Sequence, residues 1–144
     1  MDPGVTVSAS EQDQAVVGKL GLTPGLAVQE IGWDDDVDDE VRVMIEDAVD
    51  GELVEEAVEP VDLVLLWWRD SDGDLVDGLV EALPDLTDSG YIWLMTPKVG
   101  RDGYVDAVDL AEAAETAGLA QTTTATVSAD WAATKLVRPK GSRR

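Results

Sequence analysis

One stretch decides the fold of this sequence: Val61-Asp-Leu-Val-Leu-Leu-Trp-Trp68. A short apolar run that ends in charged residues is typical of a strand covered on both faces, so we expect it at the centre of a sheet. The run continues directly into Arg69-Asp-Ser-Asp-Gly-Asp74. Open α/β sheets bind ligands beside the carboxyl ends of their strands, and any functional site is therefore expected there.

The elements predicted around this strand alternate between helices and strands. Apolar periodicity and turn residues predict helices at about 35–49, 74–83 and 106–117, and a short helix that Ser10 caps and that ends near Gly21. Further strands are predicted at Leu26–Ile31, Tyr91–Met95, Leu119–Val127 and Trp131–Arg138. Residues 52–57 are either a very short strand followed by a crossing loop or a strand that pairs antiparallel.

This order of elements predicts the α/β class. We expect a three-layer sandwich with a mostly parallel sheet and a C-terminal antiparallel hairpin. The sandwich should form a single domain over residues 11–138, with a disordered N-terminus at 1–10 and a basic flexible tail at 139–144. Because successive side chains of a strand point to opposite faces, Trp67 and Trp68 should both be core residues, one on each face.

The composition excludes several kinds of function. The 144 residues include no cysteine and no histidine, which removes disulfides, thiolate nucleophiles, imidazole metal ligands and histidine-based triads. The formal net charge of −21 predicts that the protein binds neither nucleic acid nor anionic membranes. It does not exclude an unknown protein partner. Without a long apolar run or a signal-peptide pattern at 1–9, we expect a cytoplasmic protein.

The first acidic run is Asp34-Asp-Asp-Val-Asp-Asp-Glu40. Most of it fits the first turn of the helix predicted at 35–49, where the positive end of the helix dipole stabilises carboxylates. Metal or partner binding is the alternative interpretation. The run follows Gly32, which stands where nucleotide-binding folds carry a glycine-rich loop, but Trp33, Asp34 and Asp35 come next instead of further glycines.

The second acidic run is Asp70-Ser-Asp-Gly-Asp-Leu-Val-Asp-Gly-Leu-Val-Glu81. Its acids match several positions of a calcium-binding EF-hand loop, but Leu75 replaces the glycine of the sharp turn. An apolar strand followed by Asp-x-Asp-Gly-x-Leu also resembles the first motif of the haloacid-dehalogenase-type phosphatases. That resemblance implies a magnesium-dependent phosphatase, with Asp70 as nucleophile, Asp72 as acid/base, and Thr96 and Lys98 as phosphate-binding residues. A plain helix-capping loop is the alternative.

Six carboxylates follow two strands that we expect to be neighbours in the sheet: Asp34, Asp35, Asp36, Asp70, Asp72 and Asp74. Only Arg69, Lys98 and Arg101 are expected nearby to offset them. Like charges within a Debye length of about 8 Å should raise some carboxylate pKa values unless helix N-termini or a divalent cation compensates. We therefore predict weak magnesium or calcium binding by charge screening instead of a shaped site, with Asp70, Asp72 and Asp74 as the candidates.

Longer stretches of the sequence resemble known families. The stretch Leu22-Thr-Pro-Gly-Leu-Ala-Val-Gln-Glu-Ile-Gly32 resembles the first strand of class I methyltransferases, and the elements from Val61 to Arg138 are similar to the second half of that fold. Motifs such as Val28-Gln-Glu-Ile-Gly-Trp-Asp-Asp-Asp-Val-Asp38 and Leu65-Leu-Trp-Trp-Arg-Asp70 resemble a family of small actinobacterial proteins catalogued only as a domain of unknown function. This resemblance implies a cytoplasmic single-domain protein with a degenerate Rossmann-type fold, and it implies no activity.

Two functional hypotheses remain open. The first is a non-catalytic regulatory or protein-interaction module without a cofactor, whose surface consists of the strand ends at 33–36, 68–72 and 96–101. The second is a methyltransferase-like enzyme that binds S-adenosylmethionine or a nucleotide. No catalytic residue is assigned, and the candidates for contact with a ligand or partner are Gly32, Trp33, Asp34, Asp35, Trp68, Arg69, Asp70, Asp72, Thr96, Lys98 and Arg101.

Overall fold

The computed structural model describes residues 18–139, so the predictions for 1–17 and 140–144 lie outside the described residues. The described part contains one sheet and three α-helices, preceded by helical residues at 18–20. Its strands are β1 (Val28–Ile31), β2 (Val61–Trp67), β3 (Leu86–Pro97), β4 (Ala120–Thr126) and β5 (Trp131–Val137). Its helices are α1 (Asp39–Val49), α2 (Leu75–Glu81) and α3 (Ala107–Thr116). The α/β prediction is therefore confirmed.

The strand order in the sheet is β1-β2-β3-β5-β4. The first three strands are parallel neighbours, whereas β5 pairs antiparallel with both β3 and β4 and so forms the predicted hairpin. β2 is an inner strand, as expected of an apolar run, but the middle position belongs to β3. Among residues 18–139, no helix is long and apolar enough to span a membrane.

A single parallel bridge resolves the alternative left open for residues 52–57. Val54 pairs with Gln29 on the free side of β1. The Val54 amide donates to the Val28 carbonyl at 3.1 Å, and the Val54 carbonyl accepts from the Glu30 amide at 2.7 Å. The segment is thus a very short parallel strand followed by a crossing loop that carries the chain back over β1 to β2.

The sheet is covered on both faces by separate hydrophobic cores. One face of β2 packs with α1, where Ile45, Trp67 and Trp93 belong to the same buried cluster. The other face packs with α2 and α3 through residues such as Leu79 and Leu110. All residues of β2 except Asp62 are buried, which confirms that this strand is covered on both faces. Three layers result, with the sheet in the middle.

The two adjacent tryptophans divide between these cores, as predicted. Trp67 is fully buried and meets Trp131 edge to face, with ring centroids 4.8 Å apart. Trp68 lies just beyond β2 and is half-buried against the second core. Its ring fills the space above Gly78 of α2, where a Cβ would overlap the indole.

The predicted boundaries need three corrections. α1 begins four residues later than expected, because the side chain of Asp38 accepts from the amides of Glu40 and Val41 and caps the helix there. The sequence predicts that Gly51 ends this helix, but its left-handed terminal residue is Asp50 (φ 57°). β3 extends on both sides of the predicted strand, and Gly90 lies inside it, where a Cβ would meet the Asp62 carbonyl oxygen at 2.8 Å.

Candidate functional site

The strand order reverses between β1 and β2. After β1 the chain passes through α1 to Val54 on one side of β1, and it then returns to β2 on the other side. In open α/β sheets such a reversal opens a crevice at the carboxyl ends of the two strands, which is where ligands bind. In this protein the two strand ends are Gly32 after β1 and Trp68-Arg69 after β2.

The side chain of Arg69 lies in this position. It is only 11% exposed and donates to the Gly32 carbonyl at 2.8 Å and to the Trp67 carbonyl at 3.4 Å. Its guanidinium also donates to both carboxylate oxygens of Asp36, at 2.9 Å for Nε, and to Asp72 at 3.2 Å. We call Arg69, Asp36, Asp72 and the two carbonyls the Arg69 cluster. The cluster ties the carboxyl ends of β1 and β2 together.

Local backbone contacts hold Arg69 in place. The Asp72 carboxylate also accepts from the Arg69 amide at 2.9 Å, which closes the 3-10 turn at Asp70–Asp72. The Asp70 amide donates to the Gly103 carbonyl at 2.9 Å. A Cβ on Gly103 would lie 3.0 Å from the Cβ of Arg69, so the loop after β3 approaches Arg69 closely at this glycine. Two loops therefore fix the arginine backbone before its side chain crosses to β1.

An indole ring completes the surroundings of the guanidinium. The central carbon of the Arg69 guanidinium lies 5.4 Å from the centroid of the Trp131 ring, within the range of a cation–π contact. The Nε1 of Trp131 donates to the Asp36 carbonyl at 3.2 Å. Because Trp131 begins β5, the antiparallel hairpin also supplies a side chain that contacts Arg69 at the reversal point.

A second, partly buried charge pair joins β1 to α1. Glu30 of β1 is buried, and its carboxylate accepts from Arg42 of α1 at 2.7 and 2.8 Å and from the Trp67 indole at 2.9 Å. Because the Arg42 guanidinium is positively charged, it compensates the negative charge of the buried Glu30 carboxylate. Glu30 thus joins α1, β1 and β2, and it is a structural residue.

Gly32 is required by the approach of two strands. It has a φ of 85°, and a Cβ built on it would overlap the carbonyl oxygen of Trp67. Gly32 therefore allows the chain at the end of β1 to approach the neighbouring strand β2 closely. In the glycine-rich loops of nucleotide-binding folds, the same freedom lets the backbone approach a phosphate.

The structure brings together only part of the predicted acidic edge. Asp36 and Asp72 meet at Arg69, but Asp70 and Asp74 line a separate cavity of about 330 Å³ with Trp68, between α2 and α3. Asp34 accepts from the amide of Asp35 at 2.7 Å. Within the described residues, Asp36 and Asp72 are the only two of the six whose carboxylates share a partner.

The remaining candidates have different surroundings. The side chain of Thr96 is buried in β3, where Thr96 is paired with Ala132. Lys98 is half-buried and its amide donates to the Asp130 carbonyl at 2.9 Å. Arg101 forms an ion pair with Asp130 at 3.1 Å, and both side chains are about half exposed. Asp74 caps α2 by accepting from the Val76 amide, as a helix-capping loop requires.

No metal centre is apparent in the part of the chain that the structure describes. Within residues 18–139, no three acidic side chains are grouped in a way that could hold a metal ion. The carboxylates of Asp36 and Asp72 are already engaged by Arg69. Weak screening by divalent cations therefore stays a prediction for the exposed acids.

Hydrogen bonds from Arg69 lower the pKa of Asp36 below its usual value of 3.8, although partial burial acts in the opposite direction. The predicted rise in the pKa of some carboxylates therefore does not apply to Asp36. Desolvation by burial tends to lower the pKa of Arg69, but its bonds to Asp36 and Asp72 outweigh this effect and raise the pKa. The guanidinium therefore stays charged.

Acid should weaken this cluster in a defined way. Because the pKa of Asp36 is lower in the folded than in the unfolded protein, its contribution to stability is present above about pH 4 and is lost as pH falls through the lower folded pKa. We expect the free energy of urea unfolding to decrease as pH falls below about 4. In Asp36→Asn the slope of this decrease should be smaller than in the wild type, by less than about 1.4 kcal/mol per pH unit, because one titrating group contributes at most that much. The matched control is Asp35→Asn. An equal change in both variants would contradict the role of Arg69.

Sequence reasoning missed several residues of this site. The pattern that predicts a strand at Trp131–Arg138 does not indicate that Trp131 contacts Arg69, and no pattern in the sequence indicates a role for Gly103. Glu30 and Arg42 were not paired, although Arg42 is the sole base between Asp34 and Asp62. That isolation was the available signal, since an arginine surrounded by acids commonly forms an ion pair with one of them. Nothing in the sequence indicated which acid.

Comparison with known proteins identifies the family. Residues 17–140 match the family model described as "Protein of unknown function (DUF3052)", and the chain belongs to that family. It is 47% identical over 138 residues to uncharacterized proteins of Mycobacterium tuberculosis and Mycobacterium bovis, covering 95% of this chain and 87% of each relative. The predicted membership in an actinobacterial family of unknown function is thus confirmed.

Several solved structures of methyltransferases resemble this chain. An O-methyltransferase of neocarzinostatin biosynthesis matches with a TM-score of 0.62 and 12% identity, over 96% of this chain and 59% of that chain. The CcbJ methyltransferase of Streptomyces caelestis matches with a TM-score of 0.55 and 9% identity, over 89% of both chains. A SAM-dependent methyltransferase of Aquifex aeolicus matches with a TM-score of 0.52 and 15% identity, over 87% of this chain and 89% of that chain. At these identities the likeness concerns the fold, and it confirms the methyltransferase-like architecture.

Proposed function

We propose that this protein is a non-catalytic regulatory or protein-interaction module that uses a methyltransferase-like fold. The observation that carries the proposal is the position of Arg69. Its guanidinium lies at the reversal point of the strand order and donates to the carbonyl of Gly32, just after β1, and to that of Trp67, the last residue of β2. A ligand in this crevice would have to displace a side chain that is only 11% exposed and bonded to two carboxylates.

The residues at the reversal point fit S-adenosylmethionine poorly. A cofactor in this position is approached by backbone amides of a glycine-rich turn. Here the one glycine of the turn faces the Trp67 carbonyl, and the next residues, Trp33 to Asp35, add bulk and negative charge.

The methyltransferase-like fold supports an alternative function, an enzyme that binds S-adenosylmethionine or a nucleotide. Calorimetric titration separates the two functions. We expect no measurable heat of binding when the protein is titrated with S-adenosylmethionine or ATP, because Arg69 and its carboxylates occupy the crevice. Micromolar affinity for either ligand would overturn the proposal. The control titration uses Arg101→Ala, which removes an exposed arginine at the same sheet edge without disturbing the Arg69 cluster.

A positive test uses native co-purification. An interaction module should retain a partner at constant stoichiometry when it is purified from its own cell extract under native conditions. Retention should be lost when an exposed contact residue at the strand ends, such as Trp33, is replaced by serine. Recovery of the same material by wild type and by Trp33→Ser would count against an interaction surface at this edge.

A further inference from the structure

The outer side of β4 is an open edge of the sheet. β4 is the last strand in the strand order, so no strand of residues 18–139 pairs with its outer side. All of its residues except Ala120 and Ala125 are exposed. At the opposite side of the sheet, by contrast, Val54 pairs with the free side of β1. We call the outward-facing amides and carbonyls of β4 the β4 edge.

The hairpin determines which backbone groups belong to this edge. The amide of Val127 donates across the hairpin to the carbonyl of Trp131 at 3.2 Å. Successive residues of an antiparallel strand direct their amide and carbonyl groups alternately to one side and to the other. Thr126 and Thr124 therefore direct theirs away from β5. These groups have the spacing that an added strand requires for backbone pairing.

The sequence of β4 lacks the usual protection of a sheet edge. Exposed edges commonly carry charged residues or proline, which prevent pairing with another chain. Residues 116–129 contain no proline and are the longest stretch of the sequence without a charged residue, although 28% of the chain is charged. The register with β5 shifts between Gln121 and Thr123, and this bulge leaves Thr123–Thr126 as the regular part of the edge. That part is open to a further strand.

A groove adjoins the beginning of β4 and supplies a basis for selectivity. It has a volume of about 370 Å³, and its lining includes Ala111, Glu112 and Glu115 of α3 and Gln121 of β4, all of them exposed. Within the described part of the chain, neither glutamate forms an ion pair. A strand added to β4 would extend past this groove, and basic side chains of that strand would offset the two carboxylates.

We propose that the β4 edge binds an extended segment of a partner protein as an additional strand of the sheet, with basic side chains of that segment against Glu112 and Glu115. This inference rests on the proposed interaction function and adds to it a surface apart from the carboxyl ends of the strands. Backbone pairing supplies affinity, and side-chain contacts supply selectivity. A second copy is opposed as the occupant, because it would bring the same two glutamates and a charge of −21 to the edge.

Thr124→Pro tests the backbone pairing. Proline removes an amide hydrogen that faces outward, so the ladder with β5 should be retained, and circular dichroism checks this. The probe is a fluorescently labelled peptide that repeats Lys-Val four times, and its anisotropy is measured with the full-length chain. We expect Thr124→Pro to weaken binding about tenfold, because one hydrogen-bond acceptor of the peptide loses its donor. The matched control, Thr124→Ser, keeps the amide and should bind as the wild type does. Equal affinities of the two variants would overturn the inference.

A second pair of variants tests the preference for a basic segment. Glu115→Gln should weaken binding of the probe about threefold, which is the effect of one exposed ion pair. Glu81→Gln removes the same charge from an exposed position on α2 and should leave the affinity unchanged. A comparator peptide with glutamate at every lysine should bind about tenfold more weakly than the probe. Equal losses in Glu115→Gln and Glu81→Gln would mean that only the overall charge attracts the probe, and the inference would fail.

Amide hydrogen exchange gives a decision even if Thr124→Pro does not fold. The probe should slow exchange of the Thr124 and Thr126 amides in the wild-type chain, because both become paired. Exchange of the Val127 amide should change little, since this amide is already bonded to Trp131. Binding of the probe without slower exchange at Thr124 and Thr126 would place it elsewhere on the protein and refute strand addition.

Other occupants of the edge are distinguished on the same samples. A dimer in sedimentation experiments that Thr124→Pro dissociates would assign the edge to a second copy and overturn the inference. Displacement of the probe by a peptide with the sequence of residues 1–17 would assign the edge to this chain itself and also overturn it. Titration with S-adenosylmethionine separates the two proposals. Silence toward both ligands would refute the strand inference alone, whereas cofactor binding would refute the proposed function.

Discussion

Replacement of Gly32 by alanine should cost about 4 kcal/mol of unfolding free energy, which is in the range of the most destabilising single substitutions. The added methyl group would overlap the carbonyl oxygen of Trp67, and this oxygen belongs to the backbone of an inner strand. Relief of the overlap requires β1 and β2 to separate at their carboxyl ends. The Arg69 guanidinium bridges the same two ends and would lose at least one carbonyl. Urea unfolding followed by tryptophan fluorescence measures the loss.

Gly25→Ala is the matched control for this substitution. Gly25 also has a positive φ, at 96°, but a Cβ built on it has no neighbour within 4 Å. Its alanine variant should therefore lose only the cost of the left-handed conformation, about 1 kcal/mol. Equal losses in the two variants would show that the backbone conformation alone requires Gly32. The contact with Trp67 would then have no part in it.

The elements that could be predicted from the sequence are those that depend on local patterns. β2 was located because a strand buried on both faces is a continuous apolar run. The sequence also places Gly118 directly after the helix predicted at 106–117, and this glycine has the positive φ (83°) of a left-handed helix end. The start of α1 was missed because the acids before it and within its first turn have the same composition. Only hydrogen bonds distinguish Asp38 as the cap.

The candidate site was located but not understood from the sequence. The carboxyl ends of the parallel strands were expected to meet, and the structure brings Gly32, Asp36 and Arg69 together there. The sequence analysis predicts that the six acids repel one another, because the sequence does not show which of them Arg69 contacts. The partners of Arg69 depend on side-chain placement across two loops separated by 33 residues in the chain. No periodicity or motif encodes such a contact.

Replacement of Arg69 by methionine should cost roughly 3 kcal/mol, at the lower end of the range for removal of one partner from a buried charge pair. Methionine keeps much of the side-chain length but leaves the Gly32 and Trp67 carbonyls and the Asp72 carboxylate without their shared donor. The lower end applies because Asp36 is 53% exposed, so water can solvate its carboxylate once the arginine is gone. Arg69→Lys should recover only part of the loss, since one ammonium cannot replace a planar group that donates to four acceptors.

The control for this prediction lies at the same edge of the sheet. Arg101→Met removes an arginine whose ion pair with Asp130 is about half exposed, and it should cost less than about 1 kcal/mol. A double-mutant cycle with Asp36→Asn then measures the coupling between Arg69 and Asp36 directly. If Arg69→Met is no more destabilising than Arg101→Met, the guanidinium does not hold the ends of β1 and β2 together. The crevice would then be open to a ligand at little cost, and the case against a bound cofactor would lose its principal support.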